Sequence, residues 1–442
     1  MRSGTADSPA PQSGSPRAVI AVGAALAASA GLVALGHLLV ADLNARGLDL
    51  LVNAPPVAGR FEATAPSARL LLPLAVIALV VGLGPPAARR LGWRALLAWV
   101  AVAGWAWAVS LALLDPDMGL TGPISRDSEY LHDVPRIDSP GDFLSGFVDR
   151  ISIYATHVRG HPPGLILGLW GLEQIGLGGT IPAALVMITA GALAPTAALV
   201  ALREVASEQS ARAAAPFVVL IPAAIWVATS GDALFAGVSA WALSLVVLAT
   251  GRPGRRGDAL ALAGGLLFGA TLMLSYGLIL LATIPLAVAF ARRRKRAPLL
   301  ATGAALLVLA AVAVAGFRWP EGLLATRDTY YDGVASIRPY GTFLINNLAA
   351  FAIVLGPAVI AGLALLRDRT VWLLVGGGLS AVALADVSGM SKGEVERIWL
   401  PFVPWVALAT CALPKSDLAS RAWLLTAAGF ALAFELGVLT SW

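Results

Sequence analysis

The sequence predicts an all-α membrane protein with about 12–14 transmembrane helices. Of its 442 residues, 58% are hydrophobic and 13% are charged, and the mean hydropathy is +0.80. Soluble domains carry about a quarter charged residues, so this chain has too little polar surface for water. The apolar residues also fall in blocks of about 17–25, the length that crosses about 30 Å of hydrocarbon, where a helix pairs its own backbone groups.

The candidate helices follow one another along the chain, and no polar stretch exceeds about 50 residues. We therefore expect one transmembrane domain over residues 18–440. Residues 1–17 are rich in Ser, Pro, Gly and Ala, which predicts a disordered cytoplasmic tail. The candidate spans lie at about 18–42, 69–86, 95–114, 164–178, 181–202, 214–230, 233–250, 259–275, 277–291, 298–316, 343–366, 371–387, 398–413 and 422–440.

The short basic loops predict which side of the membrane each helix end faces. With the N-terminus inside, every basic loop falls inside only if one of the segments 164–178 and 181–202 does not cross. We therefore expect 164–178 to be re-entrant, with about 13 crossings and an extracytoplasmic C-terminus. Three polar segments then face outward together, at 115–162, 317–342 and 386–397. The loops expected to be cytoplasmic carry Arg89, Arg90, Arg94, Arg252, Arg255, Arg256, the cluster 292–296, Arg367, Arg369, Lys415 and Arg421.

The long outer loop concentrates residue types that are scarce elsewhere in the chain. Three of the four histidines lie in it, at His132, His157 and His161. An ordinary solvated loop is the alternative explanation for its acidic residues. These acids are Asp115, Asp117, Asp127, Glu129, Asp133, Asp138, Asp142 and Asp149.

Within this loop, the residues Pro140 to Tyr154 have the pattern of an amphipathic helix. Phe143, Phe147, Ile151 and Tyr154 recur at a spacing of three to four. Such a helix would lie in the membrane interface with its aromatic face among the headgroups. The alternative is a helix packed against its own protein.

The loop ends in the motif Thr156-His157-Val158-Arg159-Gly160-His161-Pro162-Pro163-Gly164. Two prolines directly before an apolar run suit the first turn of a helix. Free N–H groups at a helix N-terminus attract anions, and an arginine beside them can bind phosphate through two hydrogen bonds. The motif therefore predicts a phosphate site.

The loop resembles that of the GT-C glycosyltransferases, in particular the protein O-mannosyltransferase and aminoarabinose-transferase branch. That family carries an Asp-Glu pair followed by a His-Pro-Pro-Leu motif. Here Arg126-Asp127-Ser128-Glu129-Tyr130 precedes the interfacial segment and His-Pro-Pro-Gly. Asp232 in Gly231-Asp232-Ala233 is similar to the family's Asp-Ala pair at an outer helix end. Ser128 separates the two acids here, and the loop follows the third helix rather than the first.

The resemblance implies a GT-C-like fold and the transfer of a sugar from a polyprenyl-phosphate donor to an acceptor hydroxyl. Such a reaction needs a carboxylate as general base and cations for the lipid phosphate that leaves. Asp127 is the expected base, with Glu129 as its partner or substitute and Tyr130 beside them. Arg159, His157 and His161 are expected to hold the phosphate.

The other two outer segments add candidate substrate-binding residues. Lys392 and Arg397, with Glu394 between them, could clamp a lipid phosphate at headgroup level. Snorkelling or a local ion pair is the alternative. Tyr330 and Arg338 could stack on and bind a sugar, although interface aromatics are ordinarily bilayer anchors.

The chain is thus expected to be a multi-pass protein of the inner (plasma) membrane with an extracytoplasmic active site. Its partners would be the bilayer, the lipid-linked donor and an acceptor glycan, lipid or protein, with no nucleic acid. No spacing of side chains demands a metal site, and the acidic loop leaves a divalent cation such as Mg²⁺ or Mn²⁺ open as a cofactor. A transporter or lipid flippase, or a non-catalytic partner in envelope assembly, is the alternative function.

Overall fold

The computed structural model describes residues 15–65, 67–115 and 118–440. Helices make up most of this part of the chain. The α-helices are α1 (Pro16–Ala45), α2 (Leu71–Arg90), α3 (Trp93–Ala112), α4 (Pro140–Ser145), α5 (Thr156–Arg159), α6 (Gly164–Gln174), α7 (Thr180–Val205), α8 (Glu208–Ala214), α9 (Gly231–Thr250), α10 (Arg255–Leu272), α11 (Thr283–Ala291), α12 (Arg296–Val314), α13 (Trp319–Asp332), α14 (Tyr340–Leu365), α15 (Arg369–Ser388), α16 (Val395–Ile398), α17 (Val403–Val406) and α18 (Asp417–Gly437).

Nine helical segments within the described ranges are long and apolar enough to cross a membrane. The all-α polytopic fold is therefore confirmed. Helices α10 and α18 are of similar length, with 18 and 21 residues, but do not meet both criteria. The predicted tail at 1–17 falls largely outside the described residues, and Asp117 of the outer loop falls outside them too. The nine segments are α1, α2 with the turn before it, α3, α7, α9, α12, α14, α15 and Val395–Ala412.

Three predicted spans are not continuous α-helices. Residues 214–230 contain a 3₁₀ turn at Pro222–Trp226, residues 276–282 form another before α11, and Val395–Ala412 alternates short α and 3₁₀ turns. Prolines at 222, 401 and 404 remove backbone donors in these stretches. Irregular backbone is tolerated at membrane depth only where protein covers it. Accordingly, Pro222–Trp226 and most of Val395–Ala412 are buried.

The segment predicted to be re-entrant forms the short helix α6. Its 11 residues extend about 16 Å, roughly half of a hydrocarbon core.

Two pairs of long helices, α7 with α9 and α10 with α12, pack closely through small residues. Cβ atoms built at Gly237 and Gly265 would lie 2.1 Å and 2.2 Å from the carbonyl oxygens of Ala190 and Ala301, respectively. Glycine at these positions allows α9 to approach α7, and α10 to approach α12.

Most of the basic loops that were predicted to be cytoplasmic meet at one end of the bundle. Glu208 pairs with Arg203 and Arg212, and Glu204 pairs with Arg252 and Arg292. Arg212 also donates to carbonyl oxygens at the end of α2, at Ala88 (2.8 Å) and Leu91 (2.9 Å). Further ion pairs at this end join Arg89 to Asp417 and Arg296 to Asp258.

The opposite end carries a small sheet that joins the two halves of the chain. Strand β1 (Gly59–Phe61) follows α1 and pairs antiparallel with β2 (Val438–Thr440), which follows α18. The end of the described chain therefore lies at the end of the bundle opposite to the start of α1.

The prediction of one interfacial helix from Pro140 to Tyr154 was wrong. Helix α4 stops at Ser145, and the rest of the segment is turns with a 3₁₀ turn at Ile151–Ile153. Phe143, Phe147 and Tyr154 are buried and contact one another at ring-centroid distances of 5.3–5.5 Å. Phe147 also packs on Phe317 at 5.6 Å. The aromatic face thus packs against its own protein, and burial of these rings in the core replaces contact with headgroups.

Candidate active site

A buried charged network occupies the end of the bundle that carries the sheet. At its centre is Arg397 on α16, whose side chain is 5% exposed. Its Nη1 forms an ion pair with Asp232, which is buried in the first turn of α9. Its Nη2 lies 3.3 Å from Nε2 of His157 and 3.5 Å from Oε2 of Glu394. Buried charges at this depth need partners, and these contacts supply them.

His157 connects Arg397 to Glu129. Its Nδ1 lies 2.8 Å from Oε1 of Glu129, which is itself buried. Because an arginine can only donate, Nε2 of His157 accepts from Arg397, and Nδ1 lies at ion-pair distance from the Glu129 carboxylate. The backbone fixes this approach, since the N–H of His157 donates to the Ser128 carbonyl at 3.0 Å. In addition, the N–H of Ala155 donates to Asp133 Oδ2 at 2.6 Å, which anchors the start of α5.

Tyr130 and His161 cover one side of this network. The Tyr130 ring stacks on His157 at 6.3 Å and contacts His161 at 6.1 Å, and His161 also packs on Phe235 at 5.3 Å. Burial raises the pKa of Tyr130 well above its usual value, assisted by Asp232 and Glu129. Burial lowers the pKa of His161 to about 3, assisted by Arg397 and His157, so this imidazole is neutral.

Glu394 is held in an unusual backbone conformation beside Arg397. Its φ is +58°, in the left-handed region that costs a side chain with a Cβ about 1–2 kcal/mol. Gly393 before it has a φ of +87°. Burial raises the pKa of Glu394, but Arg397 and Arg338 outweigh this, and the pKa lies below its ordinary value. Strained backbone at a charged side chain is typical of functional sites.

Three of the residues expected to bind sugar or lipid phosphate, Tyr330, Arg338 and Lys392, brace the turn at 389–394. Arg338 is buried and donates to the carbonyls of Leu50 (2.7 and 3.0 Å) and Lys392. Lys392 is buried, and its Nζ donates to the Ala335 carbonyl at 3.0 Å. The Tyr330 hydroxyl accepts from the Lys392 N–H at 2.6 Å. Backbone groups outside regular secondary structure need hydrogen-bond partners, and these side chains supply them.

Sequence analysis missed two residues that support this turn. Asn347 on α14 donates to Asp386 at 2.9 Å and to the Ser391 carbonyl at 2.6 Å, and accepts from the Gly393 N–H at 3.0 Å. Glu396 accepts from the Ala58 N–H at 2.8 Å and thereby holds the loop after α1 against α16. The adjacent pair Asn346-Asn347 inside an apolar span was the available signal, because polar residues at membrane depth normally have a partner.

Other expected site residues lie outside the network. The side chain of Asp127 is 99% exposed, and its Oδ1 lies 3.8 Å from Nδ1 of His132. Glu129, two positions later, is buried. Arg159 is half-buried on α5. At the predicted anion site, one N–H group at the start of α6 already has an acceptor, because the Gly164 N–H donates to the Met273 carbonyl at 2.8 Å.

Within the described residues, no group of three or more His, Cys, Asp and Glu side chains is arranged to hold a metal ion. A cavity of about 600 Å³ lies next to the network. Arg126 lines the cavity and interacts with Glu129 and Asp115, and burial lowers its pKa. Its position directly before the acidic pair could have marked it as a candidate.

No protein-family model and no curated protein matches this chain. Among solved structures, it is similar to the Archaeoglobus fulgidus oligosaccharyltransferase in a complex with Zn and sulfate. The TM-score is 0.45 at 16% identity, covering 77% of this chain and 53% of that one. The chain therefore spans about half the length of that protein, and the likeness in fold is distant. The assignment of the site depends on the residues described above.

Proposed function

We propose that this protein is a membrane glycosyltransferase that moves a sugar from a polyprenyl-phosphate donor to an acceptor hydroxyl on the extracytoplasmic face. The observation that carries the proposal is the contact chain from Glu129 through His157 to Arg397 and Asp232. It places a carboxylate, an oriented imidazole and a guanidinium together at one end of a membrane bundle. Such a set can remove a proton and stabilise charge at a reacting centre.

In the proposed reaction, the acceptor oxygen attacks the anomeric carbon of the donor sugar. The bond between that carbon and the phosphate oxygen breaks, and its electron pair stays on the phosphate. The acceptor proton passes to the carboxylate of Glu129, whose Oε1 lies 2.8 Å from Nδ1 of His157. Glu129 replaces Asp127 as the base because its burial keeps it out of bulk water, whereas the side chain of Asp127 is 99% exposed.

The network is also suited to the positive charge that develops on the sugar. In the network, the carboxylates Glu129, Asp232 and Glu394 outnumber the guanidiniums Arg397 and Arg338. A surplus of negative charge favours an oxocarbenium-like transition state. The leaving phosphate then needs another cation. Arg159, half-buried two residues after His157, has no ion pair among the described residues and is our candidate.

The test compares Glu129→Gln with the matched control Asp127→Asn in the full-length protein reconstituted in liposomes. The probes are radiolabelled polyprenyl-phosphate hexoses and pentoses, incubated with an envelope fraction as acceptor. We expect Glu129→Gln to reduce the rate of transfer by about 10²–10⁴-fold and Asp127→Asn to leave it near the wild-type rate.

Two outcomes would count against the proposal. Equal activity of Glu129→Gln and wild type would remove Glu129 as the base. Full transfer by the Glu129→Gln/Asp127→Asn double variant, at unchanged expression, would remove the carboxylate mechanism altogether.

A further inference from the structure

The cavity beside the network has a polar wall made of residues that are not part of the network. Its volume of about 600 Å³ is in the range of small-molecule sites. It is open to solvent on one side and is bordered by the loop after α1, by the stretch after α3 and by β2. Its polar lining includes Asn53, Arg60, Glu62, Asp115, Arg126 and Thr440.

The charges of this lining balance. Among the described lining residues, the cations Arg60 and Arg126 face the anions Glu62 and Asp115, and Arg60 is ion-paired with Glu62. A phosphate site has an excess of cations or free N–H groups. A balanced lining of carboxylates, guanidiniums, an amide and hydroxyl groups matches a ligand that both donates and accepts hydrogen bonds and has no charge. Carbohydrates have this chemistry.

Two hydrogen bonds connect the cavity lining to the network. Arg126 lines the cavity, and its carbonyl accepts from the N–H of Glu129 at 2.9 Å. On the other wall, Ala58 lines the cavity and donates its N–H to Glu396, the residue before Arg397. The cavity therefore adjoins the backbone that carries Glu129 and the backbone that carries Arg397.

We propose that this cavity binds the sugar acceptor, an uncharged and hydroxyl-rich carbohydrate. This assignment rests on the proposed glycosyltransferase function, because an acceptor is defined by the transfer. The lipid-linked donor would approach the network from the membrane side, and the acceptor from the side of the sheet. The pairing of β1 with β2 gives the acceptor site its outer wall, so the loop after α1 and the last strand act together in binding.

The experiment measures binding separately from transfer. The full-length protein in lipid nanodiscs is examined by saturation-transfer NMR with methyl glycosides of mannose, glucose, galactose and arabinose. Ala63→Trp adds an indole to the cavity wall, and Leu324→Trp adds the same group to the exposed side of α13 as a control. We expect at least one glycoside to bind wild type and Leu324→Trp, and its signal to be lost in Ala63→Trp.

The variant Glu129→Gln separates this inference from the proposed function. It should keep the glycoside signal while losing transfer, because the base does not line the cavity. If a glycoside binds in the cavity but the protein transfers no sugar, the proposed transferase function is refuted and the carbohydrate site stands. Absence of any bound glycoside, or binding that Ala63→Trp leaves unchanged, would overturn the proposed site. If millimolar inorganic phosphate displaces the glycoside, the cavity does not select an uncharged ligand, and the proposal is overturned.

Discussion

Nη2 of Arg397 lies 3.3 Å from Nε2 of His157, across 240 positions of sequence. This contact fixes the tautomer of the imidazole, because the guanidinium has no acceptor to offer. The other ring nitrogen, Nδ1, lies 2.8 Å from Oε1 of Glu129. A contact made by a late segment of the chain thus orients the partner of a carboxylate in its first third.

We predict that His157→Asn retains more transfer activity than His157→Ala. The asparagine amide can place an N–H near the position of Nδ1 and so preserve the contact with Glu129, whereas alanine removes it. Positioned proton-transfer groups contribute about 10²–10⁴-fold to rates. Rates of transfer for the two variants, at matched expression in liposomes, check this. Equal rates would mean that the imidazole does not orient Glu129.

We predict that Arg397→Met destabilises the protein by about 3–5 kcal/mol, because Asp232 and Glu394 remain buried without their cation. Adding Asp232→Asn should recover part of this loss, since the amide needs no counter-charge. Transfer should stay absent in both variants. Thermal unfolding in detergent measures the stability, and failure of Asp232→Asn to recover any of it would show that the pair is not a coupled unit.

We predict that Glu394→Gly is more stable than Glu394→Ala by about 1 kcal/mol. Both substitutions remove the same ion pairs, but only glycine adopts a φ of +58° without strain. Both variants should lose activity if the carboxylate serves the reaction. Denaturation midpoints of the two variants give the difference. An alanine variant of equal or greater stability would contradict the strained conformation.

Stability should fall as the pH drops below 6.5, in part because of His161. Its pKa is about 3 in the folded protein and 6.5 when unfolded, so the unfolded state binds the extra proton between these values. The contribution is complete above pH 6.5 and is lost at about 1.4 kcal/mol per pH unit below it. His161→Phe fills the space between Tyr130 and Phe235 without a titrating group. Its melting temperature should depend less on pH between 7 and 5, and an unchanged dependence would contradict the assignment.

The end of the bundle that carries the network should face away from the cytoplasm. The basic loops gather at the other end, and short basic loops stay inside. A reporter that is active only outside the cytoplasm, fused after Trp442, should therefore be active, because β2 lies with the network. Activity from a cytoplasm-specific reporter at that position would reverse the orientation and place the site on the wrong side for the proposed donor.

The sequence by itself determined the membrane class, most helix positions and the end of the bundle that gathers reactive residues. These follow from hydrophobic block length and loop charge, which act locally. It also identified Glu129, His157, Asp232, Glu394 and Arg397 as candidates, all of which meet in one network.

Tertiary structure alone decided which of these candidates are buried together. Asp127 and Glu129 are two positions apart, yet one side chain is 99% exposed and the other 5% exposed. Lys392 and Arg338 were equally plausible as ligand-binding residues, but backbone carbonyls from distant segments take up their donors. The physical reason is that burial and hydrogen-bond partners come from segments far away in the chain, and no local pattern encodes them.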